Sequence, residues 1–144
     1  MTVATCSNYL SGQFTALETE AIAVECGILL AWEMELEQVI IETDALSVVQ
    51  SITAGETDGG IGHLYLGIIG LFNTFRSWKL KHLKWDYNKV AHELAQIAER
   101  NEASQCWRGV SPPMMQHLIQ EDHIWYWCRF MTFPFFVVLP FSVC

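Results

Sequence analysis

One short run of β-branched residues, QVIIET at 38–43, constrains this chain more than any other stretch, because helical patterns abut it on both sides. Upstream, Leu17, Ala21, Val24, Ile28 and Ala31 or Trp32 recur at helical spacing, which predicts one amphipathic helix from residue 16 to about 37. TALE at 15–18 has the spacing of a capping box, a hydroxyl at the cap and a carboxylate three residues on. The Val and Ile run itself carries the signature of a strand buried on both faces, as central parallel strands are. Asp44 closes it, and a second helical pattern starts at once over 45–54, with Leu46, Val49 and Ile52 predicted inward and Gly55 at a left-handed C-cap. The ordinary role for a lone Asp at such a junction is an N-cap that accepts hydrogen bonds from free backbone N–H groups.

TDGG at 57–60 reads as a loop, and 61–75 is apolar enough for a third helix despite Gly67 and Gly70. SWKLKHLKW at 77–85 alternates at Trp78, Leu80 and His82 like an edge strand, and NKVAHELAQIAER at 88–100 is strongly helical. The order helix, strand, helix, helix, strand, helix predicts an α/β sheet with helices packed on it. At 144 residues the chain has room for one domain.

Net charge is −8, which argues against a generally adhesive nucleic-acid binder, but the charges are unevenly placed. Residues 1–75 hold ten acidic side chains and no Lys or Arg, whereas Arg76, Lys79, Lys81, Lys84 and Lys89 fall within fourteen residues. Such a run suits either a lysine-guarded edge strand or a patch that tracks phosphates. Five cysteines, Cys6, Cys26, Cys106, Cys128 and Cys144, are odd in number and scattered, which favours reduced thiols in an intracellular protein of the nucleus or cytoplasm. The N-terminus lacks the basic and apolar regions of a secretory signal. Residues 124–144 are almost wholly apolar and interrupted by Pro134 and Pro140. Three readings stay open for them: a tail packed on the domain, a membrane-associating tail, or an extension that selection never shaped. Their length and prolines argue against a spanning helix.

Three separated stretches, in order, resemble one family. TEAIAVECGILLAWEMEL is similar to the helix AEAxAxxxGLxxAxxxG of plant ribonuclease H-like (RNase H type-1, reverse-transcriptase-like) domains, VIIETDAL to their IxxExDSxxxV turn, and HLKWDYNKVAHELAQIA to their HVxREANxVAHxLAxxA. CWRGVSPPMMQHLIQED resembles the tail that often follows. The resemblance implies a ribonuclease H-like fold, a mixed five-stranded sheet flanked by helices, over residues 1–104, with 105–123 as an extension and 124–144 as an apolar tail. VATCSNYLSGQF resembles the third strand of that fold, so the first one or two strands, and the Asp they carry, have no counterpart.

By the same resemblance, the activity is that of an endoribonuclease that cuts the RNA strand of an RNA–DNA hybrid with Mg²⁺ or Mn²⁺. Glu20 and Asp44 match the helix and strand carboxylates of the metal site, and His92 stands at the last ligand position, a nitrogen that suits Mn²⁺ better than Mg²⁺. Lys79, Lys81, Lys84, Asn88 and Lys89 are the implied nucleic-acid contacts, while Trp85 replaces the usual Arg of that motif. Against an enzyme stands a non-catalytic remnant or binding module. Its exposed sheet edge would pair with a strand of a protein partner or a second copy.

Overall fold

The computed structural model describes residues 4–84, 86, 89–108 and 113. In chain order the elements are β1 (Ala4–Ser7), α1 (Ala16–Glu33), β2 (Gln38–Thr43), α2 (Leu46–Ala54), α3 (Gly62–Phe72), β3 (Ser77–His82), α4 (Lys89–Asn101) and β4 (Gln105–Arg108). This is a mixed α/β architecture compatible with the ribonuclease H-like fold. In place of the implied five-stranded sheet, the four described strands form two pairs. β2 lies parallel to β3, with Gln38 opposite Ser77 and Thr43 opposite His82. β1 lies antiparallel to β4, with Cys6 opposite Cys106.

The capping box at the start of α1 forms as its spacing predicts. Thr15 Oγ1 accepts from the Glu18 N–H at 3.2 Å, and the Thr15 N–H donates to Glu18 Oε2 at 2.8 Å. The helix ends at Glu33 rather than near residue 37, because Glu35 takes a left-handed φ of 56°. The Glu35 N–H then donates to the Trp32 carbonyl and the Leu36 N–H to that of Ala31, which satisfies the helix end as a Schellman motif. Leu36 continues the apolar periodicity from outside the helix and packs on the core edge, which is why spacing alone overruns the boundary.

α2 terminates at Gly55, φ 68°, as its position predicts. Its inward face differs from the predicted one: Val48 and Ile52 are buried, while Leu46 is exposed and Val49 half-buried. Ala45, buried ahead of the helix, takes the place given to Leu46 and shifts the inward register. β2 is also less enclosed than a strand covered on both faces. Val39, Ile41 and Thr43 are buried, but Gln38, Ile40 and Glu42 are half-buried, so one face of the strand packs on the core and the other is partly open.

The main core joins Val24, Ile28 and Ala31 of α1 with Val39 and Ile41 of β2, Val48 and Ile52 of α2, and Ile68 and Phe72 of α3. Phe72 is fully buried and stacks on Trp78 of β3, ring centroids 4.3 Å apart and planes 18° apart. A second cluster lies under α4, where Leu94 and Ile97 are buried with Val90 and Trp107 against them. The sequence expectation of reduced thiols fails for two of the five. Cys6 and Cys106 are disulfide-bonded, since the β1–β4 register brings their Cα atoms within 4.0 Å. A separation of 100 residues hides this pairing from any spacing rule. Cys26 is free, and Cys128 and Cys144 lie outside the described residues.

Gly62 opens α3 at a place where a side chain would collide with the backbone. A Cβ there would overlap the carbonyl group of Thr57, and backbone cannot swing aside as a flexible side chain can. Gly62→Ala is therefore expected to destabilise the fold by about 1–3 kcal/mol through overpacking. Chemical denaturation checks it, with Gly70→Ala, whose Cβ meets nothing, as the unperturbed comparison.

Candidate functional site

The carboxylate of Asp44 sits just past the C-terminal end of β2, where the chain leaves the sheet. The Leu83 N–H donates to the Thr43 carbonyl at 2.8 Å, so β2 and β3 remain joined up to that point. Asp44 does not cap α2. The cap position belongs to Ala45, no side chain caps the helix, and the Ala45 N–H is taken by Thr43 Oγ1 at 3.2 Å. The Asp44 side chain turns instead to α4, where Oδ2 lies 3.1 Å from His92 Nε2. Both groups are about a quarter exposed, so the pair is shielded yet reachable from solvent.

Glu20 stands in the second turn of α1, near enough to Asp44 to feel its charge. Its pKa is raised above the ordinary carboxylate value of 4.5, first by partial burial and then by the negative charge of Asp44. α1, the β2–α2 junction and α4 thus bring Glu20, Asp44 and His92 to one end of β2. The folding logic is local in each case: a capped helix, a strand end, and a helix whose apolar face docks on Trp107.

Glu42, two residues before Asp44, was not singled out by sequence reasoning. Its carboxylate is largely buried, with a pKa raised by that burial and lowered in part by Lys81, whose Nζ lies 3.8 Å away across the parallel pair. The strand alternation carried a signal for it, since Glu42 shares a face with Gln38 and Ile40 and directly opposes Lys81. Of the basic run, Lys79, Lys84 and Lys89 are exposed, Lys81 is tied to Glu42, and Arg76 pairs with Glu37 at 3.8 Å on the surface. Asn88 and Trp85 lie outside the described residues, as does the apolar tail 124–144. Among the described residues no helix is long and apolar enough to cross a membrane.

These side chains do not complete a metal site. Two hard carboxylates with an imidazole already hydrogen-bonded to one of them fall short of the donor set that a two-metal centre uses. Among the described residues no three His, Cys, Asp or Glu side chains converge closely enough to hold an ion. What the arrangement shows is an Asp44 carboxylate hydrogen-bonded to the His92 imidazole, with the Glu20 carboxyl near enough to feel the Asp44 charge.

That coupling has a measurable consequence. Glu20 holds its proton more tightly in the folded chain than in the unfolded one, so its contribution to stability is present at low pH. It is lost as pH rises through the raised folded value. In Asp44→Asn the charge is gone, and the Glu20 midpoint should move down while the fall in stability shrinks. Carboxyl-detected NMR titration of both proteins reads this, and an unchanged midpoint would mean that the Asp44 charge does not reach Glu20.

Comparison with curated proteins and with solved structures gives no match. The model of the reverse transcriptase-like family matches residues 1–98, a span that holds the α1 stripe, the β2–Asp44 junction and the His92 turn of α4. That covers more than half of the 144 residues and includes Glu20, Asp44 and His92. The chain belongs to the reverse transcriptase-like family, whose domains are RNase H-like.

Proposed function

We propose that this chain is a nucleic-acid-binding RNase H-like module that engages RNA–DNA hybrids, and that Glu20, Asp44 and His92 are its portion of a hybrid-ribonuclease site. Family membership over residues 1–98 carries the reading. The proposed contact runs along β3 and into α4, where exposed Lys79, Lys84 and Lys89 present positive charge beside the acidic end of β2. With a net charge of −8, affinity must come from that local patch, since the rest of the surface repels phosphate.

Binding of this kind depends on counterion release. Titrating a labelled hybrid against the protein in rising salt should give a linear fall of log affinity, and replacing Lys79 or Lys84 by Ala should reduce the slope by about one. Lys81→Ala should matter less to the slope, because its ammonium is partly spent on Glu42. Hybrid binding that ignores salt would contradict the reading.

A second reading is a hybrid endoribonuclease using Mg²⁺ or Mn²⁺. The observation that favours it is the effect of Asp44 on Glu20, since like charges brought near each other are what a cation neutralises. The donor set argues the other way, so binding without cleavage is the function we put first.

A further inference from the structure

The Cys6–Cys106 bond joins two residues of opposite exposure. β1 and β4 run antiparallel with Cys6 directly across from Cys106. Cys6 is 7% exposed and belongs to the main core, whereas Cys106 is exposed on β4. A disulfide open to solvent on one side can be approached by a thiolate there, and exposed disulfides are the labile ones that exchange and regulate. Cys26 is a poorer partner for the same chemistry. It is half-buried, and burial pushes its thiol up, away from the reactive thiolate.

What the bond holds is the seat of α4. Trp107 follows Cys106 on β4 and packs against Leu94 and Ile97, and α4 also rests on β1. His92, two residues before Leu94, meets Asp44 at 3.1 Å, so the strand pair supports the helix that carries this contact. Besides the bond, β4 is kept by its four-residue ladder to β1, by the Tyr9 N–H donating to Ser104 Oγ at 2.9 Å, and by Arg108 beside Glu33 at 3.5 Å. That ion pair is exposed and adds little. We infer that Cys6–Cys106 is a thiol–disulfide exchange site for a small thiol of the glutathione class, and that opening it loosens β4 and α4 and so releases His92 from Asp44. A glutathione thiolate attacks Cys106 Sγ, the Cys106–glutathione bond forms, and the Cys6 sulfur leaves as a thiolate that takes up a proton. A second glutathione thiolate then attacks the glutathione sulfur of the mixed disulfide and expels Cys106, which is protonated in turn. The protein disulfide gains two electrons, and two glutathiones become glutathione disulfide. Held opposite Cys106 by the strand register, a deprotonated Cys6 can also close the bond again by expelling glutathione. This site is separate from hybrid binding along β3 and stands or falls without it.

The test treats the full ¹⁵N-labelled chain, without denaturant, in buffers of glutathione and glutathione disulfide, and reads it by peptide-mapping mass spectrometry and NMR. Excess glutathione is expected to open Cys6–Cys106, with the mixed disulfide trapped at Cys106, and to speed amide exchange at Leu94 and Ile97 by about tenfold or more. The ring-nitrogen resonances of His92 should move toward those it has in Asp44→Ala, while the Phe72–Trp78 ring contact of the main core persists. Glutathione disulfide should reverse each change. Cys26→Ser should respond as the unsubstituted chain does, and Cys106→Ser should show the fast α4 exchange with no further response to glutathione. Should Cys106→Ser not fold, the unsubstituted chain and Cys26→Ser still decide the matter. Opening only in denaturant, a mixed disulfide confined to Cys26, or α4 exchange and His92 resonances unchanged after opening overturns the proposal. So does loss of the Phe72–Trp78 contact on opening, which would make the bond a staple of the whole fold.

Discussion

Breaking the Cys6–Cys106 bond is expected to produce a large loss of stability. The bond closes a loop of 100 residues, which includes every helix and both strands of the β2–β3 pair. Chain-entropy arguments assign about 4–5 kcal/mol to a loop of that size, and enthalpic terms commonly reduce what is realised. Cys106→Ser, or treatment with a thiol reductant, should therefore lower unfolding free energy by about 3 kcal/mol or more and the melting temperature by about 10 °C. The loss should concentrate in β1, β4 and α4, because among the described residues β4 is held by its pairing with β1, by the small Leu94, Ile97 and Trp107 cluster and by a surface ion pair of Arg108 with Glu33. Calorimetry with and without reductant checks it. Equal transitions, in protein whose thiols have been counted as bonded, would mean that strand pairing alone holds the two termini of the domain together.

Phe72→Ala is the second. Phe72 is 0% exposed and joins α3 to β3 by stacking on Trp78, so its removal leaves a cavity between a helix and the strand that carries the lysines. Large-to-small changes of this kind cost about 3–5 kcal/mol, and the lost ring pair adds about 1 kcal/mol. Because among the described residues β3 pairs with β2 alone, the variant should lose protection in β3 before it loses α1. Phe72→Leu, which refills most of the volume, should recover more than half of the loss. Denaturant unfolding of the three proteins decides this, and a cost below about 1 kcal/mol for Phe72→Ala would place the β3 anchor elsewhere.

How much of this was readable from residues depends on the range over which each interaction acts. The Thr15–Glu18 capping box and the Gly55 terminus were legible because their determinants lie within a single turn. The end of α1 was not, since Glu35 adopts its left-handed conformation without a Gly to announce it. Leu46 and Val48 exchanged roles because the chain enters α2 through buried Ala45, a tertiary fact that helical spacing does not contain. β4 and the disulfide were invisible for a related reason, since both depend on a register formed between segments a hundred residues apart.

At the site, Asp44 on its own reads as a helix cap, and only the three ordered motifs direct attention away from that role. The structure then gives its side chain a different partner, His92, 48 residues along the chain and 3.1 Å away. Glu42 shows the reverse case, a carboxylate that no motif requires and that burial makes distinctive. Five basic residues within fourteen were obvious in sequence, but their pairing was not: Lys81 and Arg76, though exposed, each answer a neighbouring Glu, while Lys79, Lys84 and Lys89 are exposed toward a phosphate backbone.

The most direct test of the account is to mix the purified chain with a labelled RNA–DNA hybrid in Mg²⁺ and in Mn²⁺, reading binding and cleavage from the same samples beside an Asp44→Asn control. Salt-sensitive binding by both proteins and cleavage by neither are expected, because among the described residues Glu20, Asp44 and His92 do not complete a donor set. Metal-dependent cleavage that disappears in Asp44→Asn would contradict that expectation and establish the endoribonuclease reading in its place.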